Sequence, residues 1–128
     1  MRLRFDEREL SLLRGAEEVR GVSLAHNARP DVLRSALSLS RAGHKLAHAR
    51  GGASVVLDEG EVRLLAEALR FATAEIHWVS DNHAETGERQ ATVLRAFPEL
   101  TERGLWRTFG LCRELDALAD RLRKALSA

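Results

Sequence analysis

The chain has 128 residues, 45% of them apolar and 30% charged, with two prolines, no tyrosine and a formal net charge of +1. That is the size of one domain, able to bury roughly 65–70% of the surface its unfolded form exposes, and its Leu- and Ala-rich make-up excludes a disordered or fibrous class. The near-zero total supplies no global field toward nucleic acid or membrane, and the single cysteine, Cys112, rules out an internal disulfide or a zinc knuckle.

No run of apolar residues is long enough to span a bilayer. The start, "MRLRFDERE", lacks the apolar stretch of a signal peptide, so a cytoplasmic location is the expectation. Arg outnumbers Lys eighteen to two, the bias of a GC-rich bacterial genome.

Leu3 and Phe5 alternate with Arg2 and Arg4 in a strand-like pattern. Asp6 with Glu9 three residues on is an acidic capping box, and a first helix follows through Leu10, Leu13 and Ala16 to a stop near Gly21. "LAHNARPD" reads as a loop, with Pro30 suited to the first turn of a second helix that runs to the Gly51-Gly52 breaker. "ASVVL" is the second strand-like stretch, and Asp58 with Glu61 repeats the capping arrangement.

The third helix carries the clearest pattern: Val62, Leu65, Leu69, Ala72, Ile76 and Val79 recur at three-and-four spacing. Leu64, Ala68, Phe71 and Trp78 widen that stripe past half the circumference, which calls for more than one covering neighbour. "SDNHAETG" breaks the helix. "ERQATVLRAF" is a short fourth, and a last helix runs from Thr101 or Leu105 to the C-terminus. The fold expected is mostly α: one domain over residues 1–128, a four- or five-helix bundle around Val62–Val79, with a small two-stranded contact between residues 3–5 and 55–57.

"FDERELSLL" at Phe5–Leu13 returns fifty-two residues later as "LDEGEVRLL" at Leu57–Leu65. Asp6/Asp58, Glu9/Glu61, Leu13/Leu65 and Ala16/Ala68 agree, but beyond Ala16 the likeness stops. Convergence on one way of entering a helix explains this better than duplication does.

Glu75 falls inside the apolar arc of the third helix. A carboxylate there must be protonated, ion-paired or bound to a cation, and pairing with one of the many Arg residues is the expectation. His44 and His48 stand one turn apart on the second helix. With Glu75 they would make two imidazoles and a carboxylate suited to zinc or iron, with His77 as an outer member. The metalloprotease motif is absent, because Lys45 stands where it needs Glu. Asp81, His83 and Glu85 add a polar cluster at the end of the third helix, best read as a solvated terminus.

Residues 1–50 carry ten basic and six acidic side chains, residues 51–102 four and ten. On the second helix Arg34, Arg41 and Lys45 form a basic face that would suit phosphates, or acidic groups within the molecule or on a partner. "LWRTFGLCRELDAL" resembles a helix-turn-helix motif in placing Gly110 before Leu111. It departs from that motif at Asp116, where an apolar residue is needed, so a continuous helix is expected.

Trp78 and Trp106 lie at the edges of apolar faces and are interface candidates. No catalytic constellation is present. The reading is therefore a small, non-catalytic protein–protein interaction or homo-oligomerisation module. It is expected to be a homodimer, because the third helix offers more apolar surface than its short neighbours would cover. The alternatives are a metal- or small-molecule-binding bundle using His44, His48 and Glu75, and nucleic-acid binding through Arg34, Arg41 and Lys45.

Overall fold

Two helices begin in the same way and back onto each other at a two-stranded ladder. The computed structural model describes residues 1–27, 29–82, 87–102 and 105–128, the side chains of 102–107 left aside. In chain order these are β1 (Arg2–Arg4), α1 (Glu7–Ala25), α2 (Pro30–Ala47), β2 (Ser54–Val56), α3 (Glu59–Asp81), α4 (Glu88–Ala96), a 3-10 turn (Pro98–Glu102) and α5 (Leu105–Ser127). Among the described residues, no helix is long and apolar enough to cross a membrane.

Both capping boxes are closed. Asp6 accepts from the Glu9 amide at 2.7 Å while Glu9 accepts from the Asp6 amide at 3.0 Å. Asp58 and Glu61 do the same at 2.7 and 2.9 Å. Each pair satisfies two backbone donors that a helix start leaves without partners. The antiparallel strands pair Arg2 with Val56, Leu3 with Val55 and Arg4 with Ser54, one residue earlier on each strand than expected. The shift has a packing cause: Phe5 and Leu57 are buried in the core and lead into the caps. Gly52 makes the reversal before β2 at φ +84, where a side chain would be strained.

The echo in the sequence is also an echo in space. The offset that aligns Asp6 with Asp58 aligns Leu3 with Val55, and these two face each other at the ladder's centre. Around that pair α1 and α3 run side by side in one direction. Phe5 and Leu57, Leu10 and Val62, Leu13 and Leu65, and Ala16 and Ala68 are buried in equivalent pairs, and so are Leu24 and Ile76 past the point where identity ends. Each cap glutamate also takes a cation from another helix: Lys45 of α2 bonds Glu61 at 2.7 Å, and Arg121 of α5 bonds Glu9.

Helix α3 is the centre, packed against α1, α2, α4 and α5. Of its predicted stripe, Val62, Leu65, Leu69, Ala72 and Ile76 lie in the core, whereas Val79 and the widening residues Leu64, Phe71 and Trp78 are partly buried. Helix α1 runs on past Gly21 to Ala25, with buried Leu24 anchoring its last turn, although a glycine inside a helix costs about 1 kcal/mol against Ala. Helix α5 is continuous through Gly110, as expected, and buries Leu111, Leu115, Leu118 and Leu122. Gly15 lets α4 approach, since a Cβ there would lie 2.6 Å from the Phe97 ring.

The cap at Asp58 makes a pH prediction. The Glu61 backbone N–H holds the Asp58 carboxyl below its usual range. A carboxylate depressed in the folded state adds stability above its unfolded pKa, and that stability is lost as pH falls through the folded value. Asp58→Ala should therefore lower the Tm at neutral pH, with the deficit closing in acid, as followed by circular dichroism at a series of pH values.

Candidate functional site

Glu75 is held by an arginine, as the sequence led one to expect. Arg89 of α4 donates from Nε to Oε2 at 3.1 Å and from Nη2 to Oε1 at 2.6 Å, a two-pronged pair with the Glu75 side chain only 13% exposed. The guanidinium carbon lies 3.5 Å from the centroid of the Trp78 ring. Trp78 and Glu75 thus fix the arginine on two sides, by cation–π attraction and by charge. Trp78, proposed as an interface anchor, serves as this platform and is partly buried; Trp106 lies outside the described side chains, as do His83 and Glu85.

The pair forms one wall of a cleft of about 370 Å³ between α1, α3 and α4. Val19 and Val22 line it from α1, Phe71 from α3 and Thr92 from α4. Val19 and Ser23 are the fifty-two-residue counterparts of Phe71 and Glu75, so equivalent positions of the two helices meet across the cleft.

The set His44, His48 and Glu75 is not assembled. The two imidazoles do meet, edge to face with centroids 4.6 Å apart, and both are exposed. Neighbouring Lys45, however, reaches Glu61 at the start of α3, whereas Glu75 lies fourteen residues further on, about 21 Å along the helix axis. His77 is exposed on another groove with Asp116 and Asp120. Among the described residues no three His, Cys, Asp or Glu side chains are grouped to hold a metal ion.

The row that contains His44 supplies a different feature. Leu33 and Leu37 are 45% and 64% exposed, one turn apart, and the row continues through Ser40 to His44. Helix α2 buries its opposite face through Leu39, Ala42 and Leu46. Arg34 and Arg41 border the exposed row; Lys45, the third member of the predicted basic face, is spent on Glu61.

Several long-range contacts gave no signal in the sequence. Arg14 donates to the Leu46 and Ala49 carbonyls at 2.8 and 3.1 Å, closing the C-terminal end of α2. Arg8 joins Glu99 and Glu114 at 2.9 and 2.5 Å, tying α1 to the 3-10 turn and to α5. Glu61, the buried glutamate, accepts from both Lys45 and its own cap. Burial beside Asp116 pushes the Cys112 thiol up to about 11, which leaves it a packing residue and a poor nucleophile.

No family model, curated protein or solved structure matches this chain.

Glu17 packs closely on α2 and makes a second pH prediction. It lies against α2 where Gly43 has no side chain; a Cβ there would sit 2.6 Å from the Glu17 carboxyl carbon. Burial, with a smaller push from Glu18, raises its pKa. A carboxyl raised in the folded state favours folding below its unfolded pKa, and that contribution is lost as pH rises through the folded value. Glu17→Gln should therefore raise the urea midpoint at neutral pH, and the gain should vanish in acid.

Proposed function

We propose that this protein is a non-catalytic interaction module whose outer α2 face docks an acidic amphipathic helix. The observation that carries this reading is the pair Leu33 and Leu37, exposed one turn apart on a helix whose other face is buried. A helix laid along this row would cover both leucines, each supplying on the order of 1–2 kcal/mol for the area still open to water. Ser40, between Leu37 and His44, is small enough to let the partner backbone come close.

Charge selects the partner. Arg34 and Arg41 border the row, so acidic side chains flanking the partner's apolar stripe would be steered and held there. A second copy is a poorer fit at this face. A two-fold axis that pairs α2 with itself in antiparallel fashion sets both Arg34–Arg41 edges on the same side, like charge beside like charge. The Arg89 clamp on Glu75 also favours an interaction role over metal chemistry at that carboxylate.

The test uses two labelled helical peptides with the same Leu stripe, one flanked by Glu and one by Lys, followed by fluorescence anisotropy at low and high salt. The acidic peptide should bind, weaken as salt rises, and lose affinity at least about tenfold with the Leu33→Asp/Leu37→Asp protein, the equivalent of about 1.4 kcal/mol. Equal binding of the two peptides, or none, would refute the reading. So would a dimer by light scattering that the double variant abolishes, which would make α2 a self-association face, or salt-sensitive binding of a DNA duplex lost in Arg34→Ala/Arg41→Ala.

A further inference from the structure

Independently of α2, the cleft between α1, α3 and α4 has the features of a small-ligand site. Its volume of about 370 Å³ equals about twelve water molecules at liquid density and lies within the range of ligand pockets. The floor is apolar, from Val19, Val22 and Phe71. Set into this wall is the Glu75 carboxylate, nearly buried and fixed by Arg89, which is itself seated on Trp78.

An ionised carboxylate has about four lone-pair sites. Arg89 takes one bond on each Glu75 oxygen, so each oxygen can still accept another. Glu88, at the rim, brings a second carboxylate. Against these two carboxylates the described lining sets one guanidinium, that of Arg89. Phe71 already carries one cation on its ring, the Arg20 guanidinium 4.6 Å from the centroid, so its π face is in use as a cation acceptor.

The lining thus sets two carboxylates, Glu75 and Glu88, above an apolar floor, with Ser23, Thr92 and Arg89 as its donors. We infer that the cleft binds a small organic amine: an ammonium group donating to Glu75, and an aliphatic or aromatic body lying on Val19, Val22 and Phe71. Helices α1 and α3 bring residues fifty-two apart in sequence to the same cleft. Equivalent positions line both sides, but valine faces phenylalanine and serine faces glutamate, so the charge stands on one wall only. The ligand is oriented by that difference, with its head toward α3 and α4.

Hexylamine and phenethylamine are the probes, against hexanol and phenethyl alcohol as uncharged counterparts, titrated by calorimetry and by amide chemical shifts. The amines should saturate one site and bind about tenfold or more tightly than the alcohols, the difference expected of a charge-assisted bond. Glu75→Gln should remove most of that preference. Val22→Phe, at a partly exposed position, should fill the cleft and abolish binding, with circular dichroism confirming the fold of both variants. Absence of saturable amine binding, equal affinity for alcohols, or binding that persists in Val22→Phe would overturn the inference.

Discussion

The structure depends on burying the apolar stripe of α3 from Val62 to Ile76. A helix with that much apolar surface needs neighbours on several sides, and α1, α2, α4 and α5 supply them. Fully burying one of its Val, Leu or Ile side chains is worth roughly 1.5–3 kcal/mol, so the stripe from Val62 to Ile76 outweighs any single surface contact. Packing of that kind is non-directional, and something else must fix where the helices start and how they lie. The ladder and the two capping boxes do this, setting α1 and α3 side by side with Leu3 opposite Val55.

Much of this frame was legible in the sequence because it rests on local chemistry. Capping boxes are spelled out in four residues, and the α3 stripe is a simple periodicity. The two-stranded contact followed from two short alternating stretches that each precede a cap. Glu75 stood out because a carboxylate inside an apolar arc needs a partner, and Arg89 provides it.

What could not be read is what depends on which neighbour arrives. Leu33 and Leu37 form a proper apolar row, yet α2 turns a different row, through Leu39, Ala42 and Leu46, to the core. Periodicity reports that a helix has an apolar face; it does not say which of two rows finds company. Long-range ion pairs are equally silent. With eighteen arginines and nineteen acids, nothing in the sequence singles out Arg14 for the end of α2 or Lys45 for Glu61. The failure of His44, His48 and Glu75 to meet has the same origin, since helical spacing brings the two histidines together and says nothing of where along α3 they land.

The molecule thus divides into a frame, built from the ladder, α1, α3 and α5, and a one-sided helix, α2, whose outer row is left to water. Native-state amide hydrogen exchange in increasing urea tests this division most directly. The account predicts that the central amides of α3 open only with global unfolding, whereas those of α2 open earlier, by a local route that docking on Leu33 and Leu37 would suppress. Exchange of α2 and α3 along one common isotherm, or opening of α3 before α2, would contradict it.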